Sequence, residues 1–128
     1  MTVTDAHGLP LSGATPQALE HYEQARHELR CFVGDPLASV GRAIEAAPGM
    51  TMAHVLQAWL LLTSTEGPAW PMAREAIAAA DALPRNRREA LHLQALQQLA
   101  AHRWRDAGRT LEDLTIEFPL DGLALQAG

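Results

Sequence analysis

Cysteine occurs once, at Cys31, so no intrachain disulfide can form and thiol-rich metal sites are excluded. Lysine does not occur at all: the ten basic residues are all arginine, and the formal net charge is −5. General binders of nucleic acid or anionic membrane rely on a basic surface, so neither partner is expected. Long apolar runs are also missing. The longest, Val55 to Leu62, has Gln57 inside it and is far too short to span a bilayer. The opening MTVTDAHGLP has neither a positive region nor an apolar stretch and does not resemble a signal peptide, so a cytoplasmic protein is expected. GxSxG, GxGxxG and GxxxxGK[ST] do not occur, which leaves nucleophile-elbow and nucleotide-loop chemistry without support.

What is present is a helical repeat. The 128 residues are 48% apolar and 20% charged, the balance of an ordinary globular domain, and a chain of that length buries about two thirds of its unfolded surface. Pro48, Pro84 and Pro119 stand 36 and 35 residues apart, each closing a helix-turn-helix unit. A period near 34 with two helices per unit suggests tetratricopeptide-type repeats. The expected fold is therefore all-α, an α-α superhelix of about six helices plus a partial seventh. An irregular arm over residues 1–14 precedes units at about 15–48, 49–84 and 85–119 and a partial unit at 120–128.

Local signals place the helices. Thr15 and Pro16 start the first, whose stripe is Leu19, Tyr22, Ala25, Leu29 and Phe32 or Val33, with Gly34 ending it. Asp35 and Pro36 start the second, striped by Leu37, Val40, Ala43, Ile44 and Ala47 and stopped by Pro48. The third, about residues 51–65, is apolar nearly all round and is expected in the middle of the array. Gly67 and Pro68 break the chain before a fourth helix with an inner face of Met72, Ala76, Ala79 and Leu83. Asn86 and Glu89 form a capping box for the fifth, and the sixth begins near Arg103 or Trp104 and ends before Pro119. Beyond it, LDGLALQAG starts a helix for which no partner follows.

Short motifs in order suggest a relationship. They are Asp5…Gly8-Leu9-Pro10-Leu11-Ser12, then Met52-Ala53-His54, then Leu83-Pro84-Arg85-Asn86-Arg87-Arg88-Glu89…Leu91-His92, and finally Phe118-Pro119…Asp121…Leu123-Ala124-Leu125. With these the chain resembles the front portion of the tetratricopeptide repeat protein 38-like family. The resemblance implies an α-α solenoid and brings no reaction with it. It also implies a truncated or minimal version, whose last helix, through Leu123 and Leu125, would pair with another copy.

Candidate binding residues follow from helix faces and charge. Met52, Val55, Trp59 and Leu62 share one face of the third helix, and Leu93, Leu96 and Leu99 one face of the fifth, so together they could line an apolar groove for a peptide. Their alternative role is ordinary core. Arg85, Arg87 and Arg88 form the one basic cluster, at a helix N-terminus where positive charge opposes the macrodipole. They would meet an acidic partner, or else bridge to Asp81 and Glu117. His27 and Cys31 stand one turn apart and allow a thiolate–imidazolium pair, or simply an exposed thiol beside an exposed His. No two histidines stand four residues apart, so a zincin site is not expected. The favoured function is a non-enzymatic scaffold for a protein partner or for self-association, with no cofactor or metal. The alternative is a small-molecule or enzymatic site around His54, Trp59 and His92.

Overall fold

The computed structural model describes residues 3–5, 8–31, 34–62, 69–121 and 123, with 69 and 70 described by backbone alone. Within them six helices run in order: α1 (Pro16–Cys31), α2 (Pro36–Ala46), α3 (Thr51–Leu62), α4 (Ala69–Asp81), α5 (Arg87–Ala100) and α6 (Trp104–Glu117). They pack as three hairpins, α1 on α2, α3 on α4 and α5 on α6, and α3 and α4 join neighbouring hairpins through α2 and α5. The fold is thus the all-α array of helical hairpins that the proline spacing predicts. None of these helices is long and apolar enough to cross a membrane.

The starts of α1, α2 and α5 are where the capping residues put them. Thr15 Oγ1 accepts the Ala18 amide at 3.2 Å, and Asp35 Oδ1 accepts the Ala38 amide at 3.2 Å. Asn86 and Glu89 complete the capping box of α5 in both directions. Each satisfies donors that the first helical turn leaves over. The turn from α1 to α2 closes on Glu28, which accepts the Asp35 amide at 3.0 Å and the Ser39 hydroxyl. Gly34, at φ +66°, lies against that carboxylate where a Cβ would collide with it. The Ser39 and Asp35 hydrogen bonds outweigh burial and hold the Glu28 carboxyl below its ordinary range.

Helix α3 is the centre of the core, with every residue but Gln57 buried. Fully burying a Leu, Val or Met side chain contributes about 1.5–3 kcal/mol, so this helix carries much of the stability. The inner face of α4 differs from the expected one. Ala73, Ala76, Ile77 and Ala80 are buried, whereas Met72 is 57% exposed, so the face is rotated by about one residue.

The N-terminal arm is not irregular. Val3–Thr4 (β1) pairs antiparallel with Pro10–Leu11 (β2), Val3 opposite Leu11 and Thr4 opposite Pro10. The Asp5 carboxylate holds the turn between them by accepting the Leu9 amide at 3.0 Å. This hairpin docks on the helix ends: Ser12 N–H donates to Glu89 Oε2 at 2.9 Å, Asn86 Nδ2 to the Pro10 carbonyl at 3.0 Å, and Thr51 N–H to the Ser12 carbonyl at 3.2 Å. Leu11 enters the core at 3% exposure. At Gly13, φ +72°, a Cβ would stand 2.0 Å from the Gly49 carbonyl oxygen, so the close approach of arm and α2–α3 turn requires glycine.

The expected partial seventh helix falls mostly outside the described residues, Leu125 included. Leu123 is described and is 1% exposed, so it belongs to the core rather than to a self-association surface.

Candidate functional site

A buried polar junction gathers groups from both ends of the array and from its middle. Tyr22 and Arg26 stand one turn apart on α1, and Arg88 and His92 one turn apart on α5. Asp5 comes from the arm and Asp121 from the turn after α6, where its amide bonds the Phe118 carbonyl at 3.0 Å. Trp59 comes from α3. All seven side chains are buried, Tyr22 and His92 completely.

Proton positions at His92 follow from its neighbours. The Trp59 indole donates Nε1–H to His92 Nδ1 at 3.1 Å. Indole nitrogen is only ever a donor, so Nδ1 must accept and Nε2 must carry the proton. That proton goes to Asp121 Oδ2, 2.7 Å away. The same oxygen accepts Arg88 Nη1–H at 3.1 Å. Burial lowers the His92 pKa, with Arg88 and Arg26 acting in the same direction, and this outweighs the pull of Asp121. A second proton would also set two donors, Nδ1–H and the indole, against each other. An Asp–His pair is two thirds of a nucleophilic triad. Here the imidazole lone pair that would act as base is already taken by Trp59.

The remaining groups are less completely matched. Burial pushes the Tyr22 phenol up to about 12, against the opposing charges of Arg26 and Arg88. Burial likewise opposes the Arg88 charge, but Tyr22, Asp121 and Asp5 together hold its pKa above the ordinary value. Asp5 Oδ2 lies 3.8 Å from Arg88 Nη2, an ion pair too long to be a hydrogen bond. Tyr22 Oη, Arg26 Nε, Arg88 Nε and Arg88 Nη2 are buried without a hydrogen-bond partner among the described residues. Arg26 is close enough to bear on the phenol, yet no hydrogen bond of normal geometry joins the two.

The residues expected at a peptide groove lie in the interior. Met52, Val55 and Leu96 are completely buried, Trp59 is 3% and Leu62 7% exposed, and they join one continuous core. The apolar stripes of α3 and α5 are therefore core, and among the described residues these side chains line no groove. The expected basic cluster is not one surface either. Arg85 pairs with Asp81 at 3.3 Å and Arg87 with Glu117 at 2.9 Å, the bridging alternative, while Arg88 at 2% exposure turns inward. His54 Nε2 is bonded to the Pro48 carbonyl at 2.8 Å and does not join Trp59 and His92. His27 Nδ1 and Cys31 Sγ are 3.8 Å apart, both exposed. Among the described residues no group of three His, Cys, Asp or Glu side chains could hold a metal ion.

An exposed trough of about 400 Å³ runs between α2 and α4 with α3 as its floor. Ile44, Leu61, Met72 and Ala76 line it, and the carboxylates of Glu45 and Glu75 stand on its rim. Nothing in the sequence points to it, because the helical spacing puts Met72 on the inner face. Tyr22, Arg26, Asp5 and Asp121 were missed as polar partners for a different reason. Their only signal is Arg26 one turn after Tyr22 on an apolar stripe, and the long-range pairing is invisible in sequence.

No family model matches the chain, and neither does any curated protein or solved structure.

Proposed function

We propose that the chain is a non-enzymatic helical-repeat scaffold, of the tetratricopeptide 38-like kind its motifs resemble, and that its protein partner docks in the α2–α4 trough. The observation that carries this is Met72, a large apolar side chain 57% exposed beside Ile44, Leu61 and Ala76, over a floor that also carries His54 and Gln57, and flanked by Glu45 and Glu75. Flanking carboxylates select against acidic segments and favour a basic one, since like charges brought together at an interface cost affinity. The complementary partner is an amphipathic helix that places an apolar side chain on Met72 and arginine or lysine at the rim. The occupied lone pair of His92 favours binding over catalysis.

A titration followed by backbone amide signals tests this, using a helical peptide of leucine and arginine and a control with glutamate replacing arginine. Saturable shifts should cluster at Glu45, Gln57, Met72 and Glu75, and Met72→Asp should weaken binding about tenfold or more. Equal binding of the acidic control, or shifts spread over the whole surface, would contradict the proposal.

A further inference from the structure

We propose that the junction holds a second, enclosed site, in which Tyr22, Arg26 and Arg88 bind the carboxylate of a small organic acid. This is independent of the trough.

The argument begins with what is unpaired. Four buried atoms lack partners among the described residues, and all four belong to groups that can donate: the Tyr22 hydroxyl, Arg26 Nε, Arg88 Nε and Arg88 Nη2. A guanidinium cannot shed its protons in a protein, so these nitrogens remain donors whatever the pH. Buried donors left without acceptors carry the full penalty of their lost hydration. What this cluster is short of is therefore acceptor oxygen.

The pattern on Arg88 specifies the shape of the acceptor. Its Nη1 is used by Asp121 at 3.1 Å. The two unsatisfied nitrogens, Nε and Nη2, form one edge of the guanidinium, and that edge presents two parallel N–H bonds to the two oxygens of a carboxylate. Among the described residues Asp5 is the carboxylate paired with this edge, yet its Oδ2 stays 3.8 Å from Nη2 while its Oδ1 holds the Leu9 amide. Its role in the hairpin turn keeps it from closing the gap. Arg26 adds a second cation, 6% exposed, whose Nε has no hydrogen-bond partner among the described residues.

Water fits these needs less well. One water accepts two hydrogen bonds, whereas a carboxylate offers about four lone-pair positions on two oxygens. A carboxylate also supplies the negative charge beside two buried cations, where low local polarity strengthens the attraction. The Tyr22 hydroxyl, neutral at physiological pH, would donate to it. Arg26 is the most exposed of the three, 6% against 2% for Arg88 and 0% for Tyr22, so the ligand's remaining atoms would leave on that side.

Tyr22 is the only tyrosine of the chain, which makes its ring signals an unambiguous probe. The full chain is titrated with sodium acetate at constant ionic strength, with sodium chloride and sodium phosphate as parallel arms. Ring signals of Tyr22 and the Arg Nε–H signals are followed. Acetate should give a saturable shift of the Tyr22 ring and of two Arg Nε–H signals, and should raise the melting temperature as its concentration passes the dissociation constant. Arg26→Met should abolish the shift, and Tyr22→Phe should weaken acetate binding about tenfold, the loss expected for one hydrogen bond to a charged group. Absence of saturation by 100-fold dilution-corrected acetate excess in the folded wild type, or identical shifts in the chloride arm, would overturn the proposal. So would undiminished acetate binding in Arg26→Met together with Tyr22→Phe.

Discussion

His92 shows how one donor-only neighbour fixes the chemistry of a buried ring. Because Trp59 can only donate, the imidazole is neutral and protonated at Nε2, toward Asp121. Its pKa is lowered in the fold, so the unfolded chain takes up a proton at a pH where the folded one does not. Its stabilising contribution is therefore complete above the unfolded value of about 6.5 and is lost as the pH falls through and below it. Tyr22 acts at the other end. Its raised pKa of about 12 means that its contribution is present below the unfolded value and lost as pH rises from the ordinary phenol value of 10.0 toward 12. Trp59→Phe removes the opposing donor while keeping an aromatic ring. It should raise the His92 pKa, measured from the ring signals across a pH series. An unchanged or lower value would show that burial alone sets the protonation state.

Among the elements, the end of α5 departs most visibly from a relaxed backbone. His102 has φ 62°, and its amide bonds the Leu99 carbonyl at 3.0 Å while the Arg103 amide bonds the Gln98 carbonyl at 2.8 Å. This is a Schellman ending with histidine in the left-handed place that glycine usually takes. His102→Gly should relieve the strain and stabilise the protein by about 0.5–1 kcal/mol after the cost of a freer unfolded chain. Thermal melting should show a rise of roughly 2–4 °C; a fall would mean that the ring's packing beside Trp104, 6.2 Å between centroids, is worth more than the strain.

Helix ends and hairpin order were legible in the sequence because Thr15, Asp35, Asn86 and the prolines act locally. The α4 face was less so, since alanines on several sides let that helix rotate without changing its pattern. The arm hairpin escaped because strands of two residues leave no period to detect. Asp121 escaped altogether: its partners are 33 and 29 residues away, at Arg88 and His92.

At the scale of the whole molecule, the junction changes what kind of repeat protein this is. In an ordinary array each repeat touches only its neighbours, so the ends open independently. Here the arm caps α5 through Glu89 and Asn86, and Asp5 and Asp121 both meet Arg88 beside the α1 residues Tyr22 and Arg26. The first and last hairpins therefore share one buried cluster across α3. Opening one end alone would leave the charged groups of the other end buried without their partners, a cost of about 3–5 kcal/mol for a broken buried pair. The closed array should open as a unit. Native-state amide hydrogen exchange tests this directly, by comparing the opening free energies of the slowest amides in α1, α3 and α5. Equal values in the three helices, all falling together on addition of denaturant, are the expected result. Lower values in α1 or α5 than in α3, with separate denaturant dependence, would show an array that frays from its ends and would contradict a junction that ties them.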